Sequence, residues 1–375
     1  MKKNLLILLF IFFIISSCNC NLFNNDDLGN TPISIPEYAL YGMLKTNEAD
    51  YVAVIDMEKD SIVGYQRITK EREYIEDFCL GSDNLLYIPI TYSYLYMVEE
   101  IGNEIRILDP KEGTIEGTIT TEYCPQVIFL LPDNKAFVFH YFVKTGDTAM
   151  TNSIIDLDKR IVIKKIISYL GGGGENDIFQ DFNGQFWILS NSPVSDSTYI
   201  IKYLTSTDTL GERVLLDNEF NGSQFYISSA FFVSETKLYG KTYSQQKGIA
   251  VYDFPSGKIT GFIETSETIE SERHIIFLPN NKVYVSHADY SCTDGSDNYI
   301  EVIDANTDAV IKTIEVCKGP AYMIYSEAMN KVYIGSIHEN AIAVVDPNTD
   351  TLIKIIKGET KDSGENRYCR LLTNK

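Results

Sequence analysis

Hydrolysis, metal binding or redox chemistry would have to be built from histidines, cysteines and carboxylates, and these are thinly distributed for such work along the 375 residues. The four histidines, His140, His274, His287 and His338, stand far apart in sequence. A zinc site or a catalytic triad needs several such groups to converge. His287 has acidic company in Asp289, Asp294 and Asp297, a set that suits a calcium loop and equally a solvated acidic loop. Gly171 to Gly174 have the composition of a phosphate loop, but no Lys-Ser or Lys-Thr follows and no helical pattern opens there, so the run reads as a connection. No nucleophile elbow occurs, and no carboxylate pair among the 52 acids is singled out for glycoside hydrolysis. No catalytic residue, metal or cofactor is therefore assigned.

Recognition has better material. Tyr92, Tyr94 and Tyr96 alternate in one segment, Tyr141 precedes Phe142 in another, and Tyr290 and Tyr322 follow further on. A tyrosine offers a large apolar body with a polar tip, which suits a binding surface. With His287 these form the candidate ligand-binding set. The alternate spacing of Tyr92, Tyr94 and Tyr96 also places all three on one side of a strand, where they would pack instead.

The elements that hold these residues follow from an internal repeat. Tyr299 to Ile314 and Ala341 to Ile356 are near copies: an apolar strand, an Asp-led turn, a second strand. Looser copies place Asp56, Asp109, Asp156 and Asp253 at the equivalent turn, and Leu204 where the others have Asp, at intervals of 42 to 53 residues. Between them lies a second hairpin, seen at His274 to Val285, Val127 to Val138 and Met323 to Ile334, whose turn is Asn-Lys and whose second strand carries an aromatic. Two hairpins make a four-stranded blade. The chain is rich in the strand formers Tyr (25) and Phe (19), with one Trp and no long helical pattern.

These units resemble the YVTN-type β-propeller repeat, closely over Tyr299 to Ile356 and more weakly over Tyr169 to Gly240. The expected fold is all-β: a seven-bladed β-propeller of four-stranded antiparallel blades over residues 37–375. The chain enters at a second strand, Tyr38 to Met43, so the C-terminal Arg367 to Leu372 should supply the missing inner strand and close the ring onto the N-terminal blade. On that map the turns at Pro132 and Pro279, and at Pro110 and Ala305, are minimal and share one face. The opposite face takes the long connections Thr91 to Asn103, Tyr141 to Asn152, Asn191 to Thr198, Thr265 to Arg273 and His287 to Asn298. Long loops on a rigid scaffold are where binding residues concentrate. Cys79 and Cys369 fall on inner strands of adjacent blades, so a disulfide between them and two buried free thiols are both open readings.

At the N-terminus Lys2 and Lys3 precede the apolar run Leu5 to Ile15 and then Ile15-Ser16-Ser17-Cys18. As a helix that run covers about 16 Å, too short for a hydrocarbon core of about 30 Å. Residues 1–17 therefore read as a signal peptide. The stretch resembles a lipobox, and the resemblance assigns lipid attachment to Cys18; Asn19 after it favours outer-membrane delivery. Residues 18–36, rich in Asn, Asp and Pro, are expected to form a flexible tether. The net charge of -20 would repel nucleic acid. The expected function is that of a non-enzymatic cell-envelope binding or scaffold lipoprotein, presenting the loop-rich face to a small molecule or an envelope protein. The propeller resemblance also admits capture of a corrinoid for uptake, or a lactonase-type or dehydrogenase-subunit enzyme.

Overall fold

The computed structural model describes residues 30–46, 49–70, 73–75, 77–92, 102–122, 124–140, 150–168, 178–192, 197–243, 248–266, 274–288, 297–358 and 367–374. Every element among them is a strand or a turn. Seven blade sheets follow one another along the chain, with a two-stranded hairpin, Glu219–Phe220 and Ser223–Gln224, between the fourth and fifth, and the blades pair their strands in sequence order from the inside outward. The exception is the first blade, ordered Arg367–Thr373, Ala39–Lys45, Asp50–Asp56, Ser61–Arg67. Its inner strand is the C-terminal one, paired from Leu40 opposite Thr373 to Lys45 opposite Arg367 with a one-residue shift between Met43 and Leu44. The expected seven-bladed ring and its closure are thus both present.

Burial explains why the inner parts of the blades read as unbroken apolar runs. Each sheet packs against a neighbour on both faces, so a middle strand such as Ala341–Asp346 is buried nearly throughout, while the outer Thr351–Lys357 is mostly exposed. Every blade also carries a register shift between its third and fourth strands at the same place, for example at Val54/Ile55, Val302/Ile303 and Val344/Val345. A bulge there adds twist to the outer strand, and the sequence holds no cue to it.

The turn chemistry is repeated as well. The Asp that opens the third-to-fourth strand turn accepts backbone N–H groups two or three residues on: Asp56 from Glu58 and Lys59, Asp304 from Asn306, Asp346 from Asn348. The turn ends in a left-handed residue, Asp60, Asp208, Asp308 or Asp350 in four blades and Gly113 or Gly257 in two others. Those last aspartates join blades. Lys282 Nζ and Tyr284 Oη donate to Asp350 at 2.6 Å each, Lys331 and Tyr333 donate to Asp60 at 2.6 and 3.1 Å, and Lys237 and Tyr239 reach Asp308. The Lys-x-Tyr of one blade therefore clamps the turn of the next. Burial, and then the aspartates, push these phenols above their usual range, which keeps them donors.

Asp350→Gly keeps the left-handed turn allowed and removes the acceptor. The buried Tyr284 hydroxyl is then stranded and Lys282 is left with only the carbonyl of Pro347, and a loss of about 2 kcal/mol is expected, read as a lower denaturant midpoint at unchanged slope; a loss under about 0.5 kcal/mol would show the clamp to be idle.

Of the expected tether, Asn30 to Pro36 is described, and it lies against the outer strand of the first blade and the last turn of the second. Asn30 bridges the backbones of Arg67 and Gly113, and Ile33 packs on Gly64. Residues 1–29, including Cys18, lie outside the described residues.

Candidate functional site

Of the expected binding set, Tyr94, Tyr96, Tyr141 and Tyr290 and the side chain of Tyr92 lie outside the described residues. His287 is fully buried in the sixth blade, its Nε2 2.9 Å from Glu301 and its ring stacked on Tyr299 at 5.0 Å. Burial alone would raise the Glu301 carboxyl, but bonds from His287 and Ser266 hold it below the usual range. Asp297 is also buried; it accepts from Gly319 N–H and lies 3.3 Å from His338. Among the described residues no group of three metal-binding side chains converges. Cys79 is a buried free thiol and the side chain of Cys369 is not described, so the pairing of these two rests where the sequence left it.

Tyr322 leads to a different arrangement. It begins from register: the inner-strand residue opposite the position two beyond the second-strand aromatic is Arg370 opposite Met43, Val127 opposite Phe139, and Ser229 opposite Lys241. His274 pairs with Ser286 at the same level, and the same count places Asp77 and Tyr322 there in blades two and seven. Inner strands run side by side around the axis, so equivalent positions form one level of the central channel.

At this level the side chains meet. Arg370 Nε lies 2.9 Å from Asp77 Oδ1, joining the first and second blades, and its guanidinium sits 5.9 Å from the Phe129 ring of the third. Asp77 interrupts its inner strand between Glu73–Tyr74 and Cys79–Leu80, and its oxygens also accept from Phe78 N–H at 2.9 Å and Ile128 N–H at 3.1 Å. Burial raises its carboxyl above the ordinary range against the pull of Arg370. Across the ring, His274 Nδ1 accepts from Met323 N–H at 3.1 Å, with the Tyr322 ring 5.6 Å away. Burial, then the charges of Arg370 and Lys241, lower the His274 ring to about 3.

His274 thus stays neutral with its proton on Nε2. That has a consequence for stability. An unfolded imidazole protonates near pH 6.5, whereas the folded one does not until about 3. The group's contribution is therefore complete above that unfolded value and is lost as pH falls through the interval. His274→Asn, which keeps an acceptor for Met323 N–H, should narrow the stability gap between pH 7 and pH 5 by about 2 kcal/mol; equal pH slopes in both proteins would contradict the neutral ring.

Asp77, His274 and Arg370 were not among the binding candidates read from the sequence. The signal was available, in that aligning the inner strands shows one position where the repeat abandons its consensus and every described blade differs.

A seven-bladed β-propeller with a polar level in its channel is the class this chain falls into. No family model and no curated protein matches it. Among solved structures it is similar to hydrazine synthase of Kuenenia stuttgartiensis, at 9% identity over 88% of this chain and 96% of that one, with a TM-score of 0.56. It is also similar to the dihydro-heme d1 dehydrogenase NirN in complex with DHE, at 13% identity over 89% of this chain and 67% of that one, TM-score 0.54. AztD of Citrobacter koseri aligns over 90% of this chain and 99% of its own, at 11% identity and a TM-score of 0.50. At such identities the likeness is one of fold.

Proposed function

We propose that this protein is a non-catalytic binding propeller of the YVTN type, which takes a ligand at the mouth of its channel and along the loop-rich face above it. One observation carries the reading. Positions with a purely structural task repeat from blade to blade, as the turn aspartates and the Lys-x-Tyr clamps do, whereas the channel level holds Arg370, Asp77, Val127, Ser229, His274 and Tyr322. Side chains that differ at equivalent positions of a repeat serve something outside the repeat. Catalysis is the weaker reading, because His274 is too weak a base and Asp77 is already engaged by three donors. The tyrosines Tyr92, Tyr94, Tyr96, Tyr141 and Tyr290 would extend the surface outward. Native mass spectrometry of the full chain incubated with a nutrient extract, corrinoids included, should show a stoichiometric adduct that Tyr322→Ala weakens. Turnover of the bound compound, or an adduct indifferent to Tyr322, would refute the reading.

The setting we infer is the cell envelope, with residues 1–17 removed, Cys18 lipidated, and a short tether leading to the docked segment that begins at Asn30. Among the described residues no helix is long and apolar enough to cross a membrane. Labelled palmitate should enter the wild type and not Cys18→Ser, which should leave the outer-membrane fraction; label retained by the variant refutes the anchor.

A further inference from the structure

The outer strands of the sixth, seventh and first blades, Ala309–Glu315, Thr351–Lys357 and Ser61–Arg67, lie side by side at the rim of the ring. Two lysines fasten them: Lys312 Nζ donates to the Thr349 carbonyl of the seventh blade, and Lys354 Nζ to the Asp60 carbonyl of the first. An outer strand is an edge, and soluble proteins blunt such edges with charge. Here the sixth and seventh blades expose apolar pairs instead, Val310 with Ile311 and Leu352 with Ile353, and the first adds Val63. Ile311 is 51% exposed and Ile353 48%. A contiguous patch of this kind marks a contact surface, whereas apolar residues exposed singly do not. The outer strand of the second blade, Ile115–Thr120, exposes no large apolar side chain, and Ile161 and Ile163 of the third lie beyond it, apart from the strip.

What covers the strip follows from where the chain enters and from charge. On the first blade the chain covers part of its own outer strand, since Ile33 packs on Gly64 and Asn30 holds the end of that strand at Arg67. With Cys18 lipidated, the premise taken from the anchor reading above, the twelve residues 18–29 separate the lipid from Asn30. They reach at most about 40 Å. The rim beside Asn30 is thereby held close to the bilayer, where high local concentration favours weak apolar contacts. Charge agrees. In a chain of net charge -20, the three strands carry Lys312, Lys354, Lys357 and Arg67 against Glu315. Lys312, Lys354 and Arg67 bind carbonyls, which leave their charge in place, and Lys357 lies 3.6 Å from Glu339. Binding at a membrane surface grows with the apolar area buried and with attraction of cations to anionic headgroups. We propose that this strip rests on the lipid surface that carries the anchor, so that the ring stands on its rim with its channel axis along the membrane plane. Both mouths of the channel then open sideways to solvent, and the loop-rich face stays free for its ligand.

The test places the full-length lipidated chain in phosphatidylethanolamine–phosphatidylglycerol vesicles doped with a diazirine-bearing phospholipid, and maps labelled peptides by mass spectrometry after irradiation. Label should concentrate in residues 309–315, 351–357 and 61–67, several-fold above residues 161–168. Ile311→Ser with Ile353→Ser, both exposed and so of small consequence for folding, should cut that label several-fold while the chain stays in the membrane fraction. Label centred on the loop-rich face or on Ile161 and Ile163, or spread evenly round the ring, overturns the proposal. So does a strip covered by a second copy, seen as a dimer without vesicles that the double substitution abolishes. If Cys18 proves to carry no lipid, the unacylated chain is mixed with the same vesicles: label at the three strands keeps the strip and removes only the anchor, and no label there overturns the strip as well.

Discussion

Deleting residues 367–375 is expected to abolish the cooperative native state at room temperature or to lower its melting temperature more than any point substitution in the ring. The deleted strand is the inner strand of the first blade, hydrogen-bonded along Leu40 to Lys45, and Asn374 adds a pair of bonds to the backbone of Ala39 at 2.8 and 3.1 Å. Without it the chain's first strand presents an open edge to the channel, and open edges invite pairing with other chains. One side chain concentrates the effect. Tyr368 is fully buried; its ring fills the hollow left by Gly42 and its Cβ the one left by Gly335, and a Cβ added at either glycine would come within 2.7 Å of it. Its hydroxyl donates to Asn340, which donates in turn to Tyr65, so one phenol ties the closing strand to the seventh and first blades. Tyr368→Ala should cost about 3–5 kcal/mol, and Gly335→Ala should destabilise as well, because the added Cβ would lie 2.7 Å from Tyr368 Cβ, an atom that no ring movement can carry away. Thermal melting decides it: a truncation that melts like the full chain would mean the ring closes some other way.

That closure could be read in the sequence because it depends on phase. The first strand matches the second strand of the repeat, and a ring of complete blades then requires one strand from the far end. Blade number, strand order and the two turn families were legible for the same reason, since Asp304, Asp346 and the Asn-Lys turns recur. The clamps were half legible. Lys331, Val332 and Tyr333 were visible as part of a motif, but that they grasp Asp60 depends on blades lying side by side, which no local pattern states. The channel level was illegible to a search for chemical motifs, because Asp77, His274 and Arg370 lie in three separate strands and resemble nothing when taken singly. His287 looked like a surface ligand because it ends a strand on the loop side; the fold instead seats it beneath Tyr299 and against Glu301. Residue type and position along a strand do not say how far a neighbouring loop covers its end.

Removing one partner of the Arg106–Glu73 pair should be the most damaging single charge substitution in the chain, about 3–5 kcal/mol. Both side chains are nearly buried, at 5% and 6% exposed, and they meet bidentately at 2.7 and 2.8 Å. Arg106 also donates to the carbonyl of Ile68 and to Glu104, while Glu73 accepts from Lys70 N–H. The pair thus fastens the whole connection from first to second blade. Burial by itself would raise the Glu73 carboxyl, but the Arg106 bonds outweigh it and hold the group below the ordinary carboxylate range. A group depressed in this way stabilises above its unfolded value, near pH 4.3, and loses that contribution as pH falls below it. Glu73→Leu leaves the buried guanidinium only the more exposed Glu104 as a carboxylate partner, and Arg106→Met strands a buried carboxylate, so each alone is costly. The double variant Glu73→Leu/Arg106→Met should recover much of the loss, since two apolar side chains replace the pair without an orphan charge. Additive losses in that cycle would contradict the coupling. There is a second readout as well. Glu73–Tyr74 lies on one side of the strand interruption that presents Asp77, and Cys79–Leu80 lies on the other. Slackening the connection should therefore weaken ligand binding at the channel level even in the stability-restored double variant, although neither altered residue lies in the channel; binding that recovers together with stability would show that Asp77 is positioned by Ile128 and Arg370 alone.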